Sequence, residues 1–435
     1  MVEIAPFRGI IYNREKIDEL SKVMSPPYDI ISSKMQTELY NKHPNNFVRL
    51  ILGKQFPNDT KQNNRYTRAK KLFETWQKEG ILIKTKSEAI YPYKIEYSTK
   101  NEKKVMNGFF AILKLDPEYR HVKAHEKTLS KPKEDRLNLM KACNANLEPI
   151  ELLYIDKKDT IRKKIDDQID QPLITVKGYD GFTHKLWKIE DKKTISSIVN
   201  EFKDKTLFIA DGHHRYQTAI DFANEKKKET KNYDENAPFN YRMAVLVNMF
   251  DKGLSILPTH RLIKMSSIKI SKIVEDIKKY FTVEEKRIYQ QNKNIDSLGK
   301  KIREEISTEA EHRFAMYCKN KYYILTLKDE NIMNQFAEEH SETWRTLDVS
   351  ILHKIILERI MGINESNIEK HVKYTRDEDE AIKLVDKKEY TLSFLMNPTK
   401  IEELKAVAEA GEHMPQKSTY FLPKMLSGLV IYKMG

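Results

Sequence analysis

Cysteine is nearly absent from this sequence: its 435 residues include only Cys143 and Cys318. The two lie far apart and flank no metal-type spacing, which argues against a disulfide framework or a structural zinc site and leaves two reduced core residues. Long hydrophobic runs are missing too. No uninterrupted apolar stretch approaches the roughly 18 to 20 residues that cross a bilayer, and the opening Met1-Val2-Glu3-Ile4-Ala5-Pro6 does not read as a signal peptide. A cytoplasmic protein without a membrane partner is the expectation. No repeat, low-complexity segment, helix-turn-helix or concentrated basic stripe stands out. The net charge of +13 comes from lysines scattered among Asp and Glu, which suits general solubility and argues against a nucleic-acid partner. Lys417-Ser418-Thr419 has the ending of a Walker A loop but neither of its glycines, so it is not one.

Against these absences stand 40% hydrophobic residues, enough to build the cores of two or three globular domains. Four segments are expected: an N-terminal α/β part (1–120), a core (121–265), an accessory α+β module (266–345) and a C-terminal part that packs back on the core (346–435). The first holds a helix over Tyr66 to Lys78 that stops at Gly80, and a β-hairpin from Ile90–Tyr97 and Val105–Leu115. A second hairpin is expected from Met243–Phe250 and Leu254–Leu257 around Asp251-Lys252-Gly253. The accessory module carries strands at Arg313–Tyr317 and Tyr322–Leu327, and Leu347–Ile360 reads as a helix.

The stretch from Ala210 to Ala219 carries the densest chemistry. A short apolar run, Thr206 to Ala210, precedes it, and Tyr216, Ala219, Ile220 and Ala223 follow at helical spacing, giving strand, tight loop and helix. Gly212 permits a sharp turn, Asp211 is placed to cap the helix, and the first-turn amides point outward beside His213, His214 and Arg215. Such a turn suits an anion, with Arg215 able to grip a phosphate or carboxylate through two donors. The alternative is a plain capped helix with a solvated polar end.

Other reactive groups are dispersed. Pro26-Pro27 fixes a rigid turn that aims Tyr28 and Asp29, as a pocket wall would. His125, Glu126, Lys131 and Arg136 lie around a helix start marked by Ser130 and Pro132. His260-Arg261 ends a strand and could face a pocket together. Lys417, Ser418 and Thr419 lie in a proline-stiffened tail, Glu412 to Lys424, expected to fold back near the active site.

Taken together, Pro26-Pro27-Tyr28-Asp29, His125-Glu126, Asp135-Arg136-Leu137, Ala210 to Tyr216, Leu257 to Arg261 and Gly411 to Lys424 resemble a bacterial and archaeal family labelled only as a domain of unknown function, DUF1015. Asp211-Gly212-His213-His214-Arg215 is also similar to the phosphate-contacting loop of the ParB and sulfiredoxin superfamily, one branch of which phosphorylates free serine. That second resemblance covers the strand-loop-helix alone. It implies an α/β (α+β) fold with a mixed sheet, a ParB/sulfiredoxin-like core and an accessory α+β module. It also implies a small-molecule kinase that moves a phosphoryl group from ATP or ADP to a hydroxyl of a free amino acid such as serine.

In that reading Gly212, His213, His214, Arg215, Lys131 and Arg136 hold phosphates, and Asp211 holds Mg²⁺. Glu126 is the preferred base and Asp29 the second choice. Tyr28, Asp29, His125, His260, Arg261, Lys417, Ser418 and Thr419 line the acceptor site. Two alternatives remain: a divalent-metal hydrolase using His125, Glu126, Asp211, His213 and His214, and a ParB-like nucleotide- or nucleic-acid-binding protein.

Overall fold

The structure is a computed structural model that describes residues 1–99, 102–126, 130–265, 269–288, 295–307 and 312–435. Its chain divides into two units, each with its own sheet. The first comprises Met1–Ala124, Thr128–Ser255 and Pro423–Gly435; the second comprises His125–Lys127 and Ile256–Leu422. Of the four expected segments, 1–120 lies wholly in the first unit, while 121–265 and 346–435 are divided between the two. The strands described within 266–345 belong to the second unit's sheet.

The first unit is built on a nine-stranded mixed sheet. Its strands are β1 (Ile4–Ala5), β2 (Tyr91–Ser98), β3 (Lys103–Lys114), β4 (Val122–Lys123), β5 (Ile150–Tyr154), β6 (Ile174–Lys177), β7 (Thr183–Leu186), β8 (Leu207–Asp211) and β9 (Tyr241–Asn248). They lie in the order β4-β8-β5-β9-β3-β2-β7-β6, with β1 paired to β3. The hairpin expected from residues 90–115 is present as β2 and β3. β8 runs antiparallel to β5 and parallel to β4, while β9 runs parallel to β5. Central strands buried on both faces need continuous apolar runs, and β5, β8 and β9 supply them through Ile150, Leu152, Leu207, Ile209, Ala244 and Leu246. Helices α1 (Arg65–Lys78), α2 (Ser130–Cys143), α3 (Thr160–Asp166), α4 (Lys192–Phe202) and α5 (His213–Glu229) belong to this unit. Ile161, Ile165, Ile198, Phe202, Tyr216 and Ile220 from three of them complete the core.

The second hairpin does not form. Ser255–Ile256 does not pair with β9, and within the second unit Leu257 N donates to Tyr420 O at 2.9 Å. The short loop and its glycine gave a local hairpin signal, but a tail strand far along the sequence supplies the partner.

The second unit has a six-stranded sheet of β10 (His260–Ile263), β11 (Phe281–Arg287), β12 (Arg313–Cys318), β13 (Lys321–Leu327), β14 (Val372–Thr375) and β15 (Leu392–Leu395), in the order β11-β13-β12-β15-β10-β14. Alternation along these strands makes two cores. Ile263, Phe314, Met316, Leu325 and Phe394 join Leu352, Ile355 and Ile356 on one face. Leu262, Ala315, Tyr317, Ile324 and Leu395 join α6 (Ile295–Ile306) and α7 (Glu378–Asp386) on the other. The helix expected over 347–360 is a short α-helix, Asp348–Ile351, that widens into a π-helix over Leu352–Ile360. Both cysteines are buried and free.

Candidate functional site

The expected site residues gather in two groups, one in each unit. In the first unit, β8 ends at Asp211 and α5 starts at His213, so the strand, loop and helix are present as the sequence indicates. Gly212 between them has φ of +93°, in the left-handed region, and a Cβ there would meet Ile150 Cγ2 at 2.8 Å. The turn therefore requires glycine on both conformational and steric grounds.

Asp211 does not cap the helix. Gly212 occupies the cap position and no side chain caps α5. Asp211 instead turns its carboxylate to two cations: Oδ1 accepts from Lys424 Nζ at 2.6 Å, and Oδ2 accepts from Arg215 Nη2. Arg215 also donates through Nη1 to the Pro149 carbonyl and is 6% exposed. The guanidinium expected to reach outward for a phosphate thus braces the loop from within. His213 is buried beside it and His214 is half-buried.

The other first-unit residues meet the same cluster. Glu148 Oε1 accepts from Tyr28 N and from Ser427 Oγ, each at 3.1 Å, and Oε2 lies 3.5 Å from Arg136 Nη1. The Arg136 guanidinium stacks over the Tyr28 ring at 3.9 Å and pairs with Asp135, which is shared with Arg65. Asp29 is exposed on the same turn, and its charge acts on Arg215. Arg136, Glu148, Arg215 and Arg242 line a small cavity of about 30 Å³. The Lys131 side chain lies outside the described residues.

Burial and charge oppose each other here. Burial alone would raise Asp211, but Lys424 and Arg215 outweigh it and hold the carboxyl well below the usual carboxylate range. Glu151 sits opposite Asp211 in the β5–β8 register, buried, with neither carboxylate oxygen hydrogen-bonded. Burial pushes it up to about 8 even against the pull of Lys424, so it holds a proton at neutral pH. Burial, with the like charge of Arg215, lowers Arg242 to about 9.

Sequence reading missed Glu151, Glu148 and Arg242 as site residues. Glu151 and Arg242 each had a signal: one charge within or beside an apolar run, Ile150-Glu151-Leu152-Leu153 and Arg242-Met243-Ala244-Val245-Leu246. A charge in a central strand is buried and needs a local reason.

A magnesium ion does not fit Asp211 as it stands, because both carboxylate oxygens already accept from cations. Among the described residues no group of three or more His, Cys, Asp or Glu is arranged to hold a metal.

The second unit holds the remaining candidates. His125 Nε2 lies 3.0 Å from Thr419 Oγ1, and the His125 carbonyl accepts from Met414 N at 2.7 Å. Glu126 forms a parallel bridge with Met414. Ser418 Oγ donates to the Pro415 carbonyl, and Lys417 is exposed. Within this unit the tail is held by His125 through Thr419 and Met414; Lys424, which pairs with Asp211, belongs to the first unit.

His260 and Arg261 do not face one pocket, since neighbours on a strand point to opposite faces. His260 lies 4.0 Å from Glu378 on the α7 side; burial, then the Arg261 charge, lowers it to about 3. Arg261 shares the other face with Tyr374, its partner in the β10–β14 register.

Among known families, one described as "Protein of unknown function (DUF1015)" matches residues 4–350. Comparison with curated proteins gives no significant match. A mutant form of free serine kinase in complex with AMP is similar in structure at 13% identity, covering 74% of this chain and 93% of that one, with a TM-score of 0.38. Another mutant form, in complex with ADP, aligns at 14% identity over 77% of this chain and 96% of that one, again with a TM-score of 0.38. A conserved hypothetical protein from Pyrococcus furiosus aligns at 14% identity over 74% and 95%, with a TM-score of 0.35.

Proposed function

The chain belongs to the DUF1015 family, and we propose that within it this protein is a small-molecule kinase that transfers a phosphoryl group from a nucleotide to the hydroxyl of a free amino acid such as serine. One observation carries the reading: positive charge collects where an uncapped helix begins. Buried Arg136, Arg215, Arg242 and Lys424, with the partly buried Arg65, stand among Asp135, Glu148 and Asp211 and the exposed Asp29, while Glu151 stays protonated. The surplus lies beside the N-terminus of α5, where the helix dipole also favours an anion.

In this reading the backbone from Gly212 to Arg215 and the Lys424 ammonium hold the phosphates. Arg215 is a positioning residue, fixing the loop through Asp211 and Pro149. The nucleotide supplies the phosphoryl group: its bond to the leaving phosphate breaks as a bond to the acceptor oxygen forms, and Asp29, the second-choice base, which lies in the same unit and whose charge acts on Arg215, takes the hydroxyl proton. His213 and His214 add donors around the transferring group.

The test follows phosphoserine by ³¹P NMR with L-serine and ATP, ADP or pyrophosphate as separate donors. Product from at least one donor, lost in Asp29→Asn while nucleotide still binds, is the expected outcome. Absence of product from every donor, together with absence of nucleotide binding, overturns the proposal.

A further inference from the structure

Arg261 is 1% exposed, yet it has no ion pair with a carboxylate among the described residues. Its Nη1 donates to the Thr259 carbonyl and lies 3.1 Å from Met396 Sδ; Nη2 donates to the Lys417 carbonyl at 3.4 Å. Carbonyls and a thioether solvate a guanidinium but do not neutralise it. Burial lowers Arg261 only to about 10, so it remains a cation in a hydrophobic layer at neutral pH. A buried charge without its counter-ion is costly, and one that persists calls for a ligand to complete it.

The surrounding polar atoms repeat the argument. Arg261 Nε, Thr259 Oγ1, the Tyr374 hydroxyl and His353 Nε2 are all buried without a hydrogen-bond partner. Tyr374 stands opposite Arg261 on the neighbouring strand, with its ring 5.6 Å from the guanidinium carbon. His353 lies on the π-helix and is held neutral, first by burial and then by the Arg261 charge. It also lines a cavity of about 630 Å³, together with His340, Trp344, Met414, Pro415 and Gln416. That volume lies in the range of small-molecule sites, and π-helical turns recur where a helix must aim side chains at a ligand. One guanidinium beside a neutral imidazole and two hydroxyls suits a monoanion with two acceptor oxygens better than a dianion.

We propose that the second unit binds a small carboxylate from this cavity, with Arg261 as its counter-ion and His353 and the Tyr374 hydroxyl as hydrogen-bond partners. The inference rests on residues of the second unit alone and does not depend on the kinase reading.

Full-length protein is titrated calorimetrically with L-serine, propionate and L-glutamate, and in parallel with L-serinamide, propionamide and L-glutamine α-amide. At least one acid binds and its amide binds ten or more times more weakly. Arg261→Gln weakens the acid by thirtyfold or more, and Tyr374→Phe weakens it several-fold. If Arg261→Gln does not fold, the acid-to-amide ratio on the wild type and the Tyr374→Phe titration decide. No binding of any of the three acids, equal binding of acid and amide, or acid binding unchanged in a folded Arg261→Gln overturns the inference.

Discussion

Replacing Glu151 with glutamine should change how stability depends on pH more than it changes stability itself. Glu151 has an ordinary value of 4.5 in the unfolded chain and about 8 in the fold, raised by burial. For an acid raised in this way, the unfolded chain releases its proton first. The folded state is therefore undisturbed below about 4.5 and progressively penalised as pH rises toward 8. At about 1.36 kcal/mol per pKa unit, wild type loses on the order of 3 kcal/mol between pH 5 and pH 8 through this one group. Glutamine has nearly the same volume and no proton to lose. Its amide also lacks partners in the buried site, which adds a constant cost at every pH and leaves the slope alone. Thermal unfolding of both proteins from pH 5 to pH 8 reads the difference directly. At roughly 2 °C per kcal/mol for a unit of this size, the melting temperature of wild type should fall several degrees more than that of Glu151→Gln. Parallel curves would refute a protonated, unpartnered carboxyl beside Asp211.

Three further outcomes follow from the same cluster. Lys424→Met leaves Asp211 without its 2.6 Å partner and should cost about 3 kcal/mol of stability, measured by urea unfolding; an unchanged midpoint would contradict the buried ion pair. Gly212→Ala places a side chain at φ +93° against Ile150 and should destabilise by about 1 to 3 kcal/mol while weakening nucleotide binding; a neutral effect on both would show that the turn relaxes freely. Arg215→Ala should lower turnover on the order of a hundredfold, if the braced loop contributes ~3 kcal/mol to the transition state. Activity within threefold of wild type, in a folded variant, would remove Arg215 from the account.

Local signals were legible in the sequence, and long-range ones were not. The break from an apolar run to helical spacing at Gly212 marked β8 and α5 because both are decided within a dozen residues. The residues 90–115 hairpin was legible for the same reason. By contrast, the orientation of Arg215 depends on Pro149 and that of Asp211 on a lysine more than two hundred residues away, and no local pattern reports either contact. The supposed hairpin at 251–253 failed because a tail strand outcompeted the nearby one. The π-helix was hidden because its apolar spacing, Leu352, Ile355 and Ile356, is indistinguishable from that of an α-helix over two turns. The pair His260-Arg261 was read as one feature, although strand geometry sends the two side chains to different cores.

The claim that the Asp211–Arg215 turn is a phosphate site is tested most directly by calorimetric titration of ADP and of adenosine into the wild-type protein and into Arg215→Ala. ADP should bind the wild type, adenosine should bind at least tenfold more weakly because it brings no phosphate to the α5 N-terminus, and Arg215→Ala should reduce that preference. Equal affinity for ADP and adenosine, or a phosphate preference unchanged in folded Arg215→Ala, would contradict the account.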